Sequence, residues 1–154
     1  MDTLEDMYLE LAKKAQESWD KDTQAVDLFN KHIMEVAALS CARDFQNYDH
    51  DERVACTRMM LGNLLIAMYA VRLMPPSEDD LKDMAEGMNS NVANDSLLCA
   101  ALVCRGANDA FLFFHEEDQA VGRDMIRSVG EALSGIYLLC SLLGIELDKS
   151  TPVL

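Results

Sequence analysis

The sequence predicts an all-α fold, a helical bundle of about six helices containing two related helical hairpins, and three observations carry that expectation. Apolar residues recur at helical spacing along nearly the whole chain, with no strand-like alternation. Of the 154 residues 50% are apolar and 26% charged, and only seven Gly and three Pro interrupt the pattern. Two long stretches, Met59 to Met74 and Val129 to Leu143, are very apolar, and the helix holding the first is apolar on all its sides and so belongs at the centre of the bundle. A chain of this length forms one domain and buries about two thirds of the surface its unfolded form exposes.

The first helix is expected from about Leu4 to Trp19, with Thr3 and Asp6 resembling a capping box and Leu4, Met7, Tyr8, Leu11 and Ala15 on one face. A polar break, with Asp22 as a possible cap, leads to a second helix that carries Val26, Phe29, Ile33, Val36, Ala37, Ser40 and Cys41 on one face and fades near Phe45. The third starts near Asp51, after Asn47, Asp49 and His50 supply loop and cap chemistry, and Pro75 and Pro76 end it because proline lacks the next helical N–H. Ser77 with Asp80 starts a short polar helix over 77–88, and Asn89 to Asn94 reads as a connector. The fifth helix carries Leu97, Leu98, Ala101, Leu102 and Ala110 to Phe114. After a charged corner at His115 to Asp118, the sixth runs from about Gln119 to Leu143 and stops at Gly144, which accepts the left-handed conformation.

An internal repeat appears at an offset of 65 residues. Ala42, Asp44, His50, Glu52, Ala55, Arg58, Met60, Ala67 and Leu73 are matched by Ala107, Asp109, His115, Glu117, Ala120, Arg123, Met125, Ala132 and Leu138. The domain therefore divides into hairpin one at about 22–74, the short polar helix 77–88, and hairpin two at about 95–147. Each hairpin alone would expose an apolar face, so the two are expected to pack together.

Thirteen basic against twenty-seven acidic residues give a formal charge of −14, which repels phosphate backbones and anionic lipid and argues against direct nucleic-acid binding. The same charge suits a basic partner, or simply a solvated acidic surface. Cys41, Cys56, Cys99, Cys104 and Cys140 are odd in number, lie in helical patterns and form no Cys-x-x-Cys pair. They are expected as buried reduced thiols in a cytoplasmic protein. Met1 to Glu10 is not a signal peptide, and the apolar stretches 59–71 and 136–145 are shorter than a membrane span of roughly 18 residues. The acidic corners His50-Asp51-Glu52 and His115-Glu116-Glu117-Asp118 favour helix capping over metal ligation, because consecutive side chains point apart.

Leu11 to Gln24 (LAKKAQESWDKDTQ), Ile33 to Ala42 (IMEVAALSCA), Met60 to Met74 (MLGNLLIAMYAVRLM) and Val129 to Leu147 (VGEALSGIYLLCSLLGIEL) together resemble the MazG-like proteins of the all-α nucleoside triphosphate pyrophosphohydrolase superfamily. The resemblance implies a helical bundle, commonly a homodimer, and chemistry in which carboxylates at i and i+3 on two adjacent helices enclose Mg²⁺. This chain departs from that pattern. Glu35 stands at a ligand position but is followed three residues later by Ala38, and the next pair is Met60 and Asn63.

On the last helix two registers remain open: the repeat offset pairs Asn63 with Ser128, whereas counting back from Gly144 pairs it with Glu131. The remnant metal site is thus Glu35, Asn63 and Glu131, with Asp44 or Asp109 as possible helpers. The plainer alternative makes the two glutamates solvated and Asn63 a core amide hydrogen-bonded across the bundle. The expected function is binding without catalysis, of a protein partner, for which the charge favours a basic, nucleic-acid-binding one, or of a nucleotide. The competing expectation is a divergent Mg²⁺-dependent nucleoside triphosphate pyrophosphohydrolase that releases pyrophosphate.

Overall fold

The computed structural model describes residues 3–114 and 119–154, all helix and connecting turns with no strand among them. Eight helices follow in order: α1 (Thr3–Ser18), α2 (Ala25–Leu39), α3 (Ala42–Asn47), α4 (His50–Ala70), α5 (Glu78–Glu86), α6 (Ser90–Ala93), α7 (Ser96–Phe114) and α8 (Gln119–Leu143). Four of them make the central bundle. α2 packs on α4 and α7 on α8 as two hairpins, and the hairpins meet through α2 against α7 and α4 against α8. α1 covers α4, and α5 covers α8.

α4 is the centre that its composition predicts. Residues 61 to 68 are buried without exception, so no face of this run is left for water. α4 opens on a capping box: the Asp49 carboxylate accepts from Glu52 N–H at 2.8 Å, and Glu52 in turn accepts from Asp49 N–H at 3.3 Å. Ser77 caps α5 in the expected way, accepting from Asp80 N–H at 3.1 Å. Gly144 closes α8 with a φ of 73°, and Ile145 N–H reaches back to the Cys140 carbonyl at 2.8 Å.

Several boundaries differ from the sequence reading. The helix expected to run to Phe45 breaks at Ser40, whose buried hydroxyl donates to the Val36 carbonyl at 2.7 Å and so competes with continuation of the helix. α3 is the piece beyond that break. α4 stops at Ala70, several residues before Pro75, because Arg72 adopts a left-handed φ of 58° and Leu73 N–H closes on the Met68 carbonyl at 2.8 Å. α2 begins after Gln24, not at Asp22, and the 89–94 connector contains α6, capped by Asn89. Helix α1 already includes Thr3. The corner His115 to Asp118 lies outside the described residues.

Two close approaches position the rest. Gly106 on α7 lies so near α8 that a Cβ there would sit 2.6 Å from the Ser128 carbonyl oxygen, while Gly135 on α8 faces Val103 in the same way at 2.6 Å. Beyond Gly144 the chain folds back as a strap over α4. Arg58 donates to the carbonyls of Thr151 at 2.9 Å and Ser150 at 2.6 Å, Val153 N–H returns to the Arg58 carbonyl at 3.1 Å, and Gly62 leaves room for the Val153 backbone. One stretch, Asp124–Leu143, is long and apolar enough by length and composition to cross a membrane, which the shorter 136–145 stretch did not suggest. In the structure 61% of that window is buried inside the bundle.

Gly106→Ala should destabilise the protein by about 1–3 kcal/mol, because backbone must move to admit the methyl group. Gly87→Ala at the exposed end of α5, where a Cβ meets nothing closer than 3.4 Å, should be neutral or slightly stabilising. Urea unfolding of the two variants beside the parent checks both.

Candidate functional site

Asn63 is the one polar side chain in the buried run 61–68 of α4, and burial obliges it to find partners. Its amide Nδ2 donates to the Met59 carbonyl one turn back at 2.9 Å, which leaves Oδ1 as the acceptor facing α2. There His32 Nδ1 donates to it at 2.8 Å. This assignment fixes the tautomer: the neutral ring carries its proton on Nδ1 and keeps Nε2 as an acceptor. Desolvation pushes the His32 pKa below its ordinary value of 6.5, opposed by the hydrogen bond to Asn63. Lys31 adds to the lowering and Glu35, one turn along α2, works against it. Asn63 is thus a core amide bonded across the bundle.

Glu35 is exposed on α2 near His32. Glu131 stands on α8 and is drawn to Arg105 of α7 by an ion pair at 3.2 Å. Met60 is fully buried, Ala38 is exposed, and Ser128, the other register candidate, is buried. Asp44 lies on α3 and Asp109 on α7. Hairpin one therefore sets Asn63 against His32, with Glu35 exposed one turn further along α2, while Glu131 is held by the second hairpin. Such a set suits Mg²⁺ poorly, since the amide oxygen and one of two carboxylates already have partners inside the protein. Among the described residues, no group of three or more His, Cys, Asp or Glu is placed to hold a metal ion.

An open cleft of about 650 Å³ lies beside His32. It exists because α1 packs on α4 rather than on α2, so the two helices splay apart above Ile66. Trp19, which follows the last residue of α1 and packs tilted on Tyr69 with ring centroids 5.5 Å apart, lines it with Leu28. Gln16 donates to the Tyr69 hydroxyl, and Tyr8 meets the same ring edge-on, so Trp19 is held by a chain of packed aromatic rings. Lys14, Lys31, Asp20, Asp27 and His32 supply polar groups at the walls, and Leu154 arrives on the strap. The sequence reading did not find this cleft. Its one signal was a lone Trp following two lysines at the end of an amphipathic helix.

The five cysteines are free thiols. Burial pushes Cys56 and Cys99 up to about 11 and Cys140 up to about 12, and Cys56 and Cys99 donate to the Leu39 and Val92 carbonyls at 3.0 Å. Thiols held protonated in this way are poor nucleophiles. Cys41 and Cys104 are only half-buried, which departs from the expectation that all five are buried.

Compared with known proteins, the chain matches no protein-family model, no curated protein and no solved structure.

Two measurements check the geometry. By NMR, His32 should titrate with a midpoint below 6.5, and Asn63→Asp should raise it by placing a carboxylate beside the ring. Because the folded-state pKa is the lower one, the unfolded chain binds the proton first. The His32 contribution to stability is therefore complete above pH 6.5 and declines as pH falls from there through the folded-state value. With a thiol reagent at pH 8, Cys41 and Cys104 should react quickly, and Cys56, Cys99 and Cys140 only on unfolding.

Proposed function

We propose that the chain is a MazG-like helical bundle that works by binding a basic protein partner instead of turning over a nucleotide. The observation that carries this reading is how little of its negative charge is neutralised internally. Twenty-seven acidic residues face thirteen basic ones, yet among the described residues only two ion pairs form, Arg105 with Glu131 and Arg127 with Asp124. Most carboxylates therefore keep their full field in solvent, which accelerates encounter with a cationic surface and repels anionic ones. α5 shows the arrangement locally: Asp79, Asp80, Asp83 and Glu86 are exposed while Leu81 and Ala85 anchor the helix to the bundle.

The internal engagement of Asn63 with His32 and of Glu131 with Arg105 supports binding over catalysis, because both groups would have to leave existing partners to serve a metal. Five free thiols suit a reducing compartment, and we place the protein in the cytoplasm on that ground.

The test has two arms. A partner captured on the immobilised protein at low salt should be basic, should bind at defined stoichiometry, and should lose affinity as salt rises. Reversing Asp79, Asp80 and Asp83 to Lys should weaken that binding by about tenfold or more, on the order of 0.5–1 kcal/mol for each surface charge. Incubation with a panel of nucleoside triphosphates and Mg²⁺ or Mn²⁺ should release no pyrophosphate above background. Robust release abolished by Glu35→Ala would overturn the proposal.

A further inference from the structure

We propose that the cleft between α1 and α2 is a binding site for a short zwitterionic peptide, on the scale of a dipeptide with apolar side chains. The proposal is independent of the basic partner, since it rests on a different face and on charges of both signs. The cleft is floored by apolar groups, Trp19, Leu28 and Ile66, which suit an apolar side chain but not a compact inorganic ion.

Charge is segregated along its length. α1 runs toward the connecting loop and α2 away from it, so Asp20 and Asp27 lie at the loop end and Lys14 and Lys31 further in, beside His32. All four charged side chains are exposed, and among the described residues none of them forms an ion pair. His32 adds no charge of its own there when neutral, because its Nδ1–H is engaged with Asn63.

A simple organic anion would meet the two lysines but be repelled by the two aspartates, and a cation would meet the reverse. Only a ligand carrying both signs satisfies both ends. The spacing fits a dipeptide. Asp27 and Lys31 are four residues apart on α2, their Cα atoms about 6 Å apart along its axis, so their side chains lie on one face and can reach the terminal ammonium and carboxylate of two extended residues, about 7 Å apart. The ammonium sits toward Asp20 and Asp27, the carboxylate toward Lys14 and Lys31, and a side chain lies on the apolar floor. A volume of about 650 Å³ holds such a ligand without closure of the helices.

Trp19 is the only tryptophan in the chain and lines the cleft, so its fluorescence reports occupancy directly. The probes are leucylphenylalanine, its N-acetyl form, its C-terminal amide and the doubly blocked compound. The free dipeptide should give a saturable change, and each single block should weaken it about two- to fivefold, the range for a solvent-exposed ion pair. Lys31→Gln should weaken the free dipeptide and remove the penalty of amidation, and Asp27→Asn should do the same for acetylation. Both residues are exposed, and unchanged circular dichroism and thermal midpoints confirm that the bundle is intact; Lys14→Gln repeats the carboxylate arm if Lys31→Gln alters them. The proposal is overturned if the dipeptide gives no saturable signal at millimolar concentration, if the N-acetyl form binds as well as the free one, or if the variants leave both penalties unchanged.

Discussion

Everything in this molecule is arranged around the burial of α4. Residues 61 to 68 have no solvent face, so the helix cannot lie at a surface, and its neighbours must enclose it: α2 and α8 within the bundle, α1 over it, and the returning C-terminal strap beside Arg58 and Gly62. The enclosure explains features that look unrelated. Gly62 is small because the strap's backbone crosses it, Asn63 needs a partner because water cannot reach it, and α1 is committed to α4 instead of pairing with α2. The cleft above Ile66 follows from that last commitment. A helix used as a cover for one neighbour leaves a gap beside the next.

The same constraint bears on catalysis. The proposed MazG-like reading would place carboxylates on the central helices, facing a metal. Here those positions on α4 are Met60, fully buried, and Asn63, whose amide bridges to its own helix and to His32. An amide can be buried and satisfied by two neutral hydrogen bonds, whereas a carboxylate in its place would have to be desolvated with its charge. An amide at this position is therefore consistent with a tightly enclosed α4, and its bond to His32 makes a seam that holds α2 against α4.

Much of the architecture was legible in the sequence because it depends on local signals. Ser77 with Asp80, and Gly144, each fix a helix end through backbone groups within a few residues and are where the chain predicts, while Asp49, one of three cap candidates, caps α4 with Glu52 completing the box. The apolar runs of Met59 to Met74 and Val129 to Leu143 announced the central pair. Less legible were ends set by a residue behaving unlike its type. Arg72 takes the left-handed conformation usually left to glycine, and Ser40 breaks a helix by bonding back to Val36 while apolar periodicity continues past it. The site was least legible of all. That His32 meets Asn63 depends on the rotation of α2 relative to α4, and that Lys31 and Lys14 share a cleft depends on α1 standing away from α2. Neither relation has a signature within one helix.

Charge and cavity together divide the surface into two kinds of region. Acidic residues outnumber basic ones twenty-seven to thirteen, so the long-range field is negative and is screened within about 8 Å at physiological salt. Inside the cleft two lysines balance two aspartates, all four exposed, and they stand beside an apolar floor that the rest of the acidic surface does not share with them. Long-range attraction and short-range discrimination thus lie in different places. The acidic exterior can favour cationic partners without choosing among them, since its field depends on total charge and not on the position of any one carboxylate. Selection requires groups at fixed separation against a shaped apolar surface, and in this fold the gap between α1 and α2 supplies that combination because burial of α4 holds both of its walls in place.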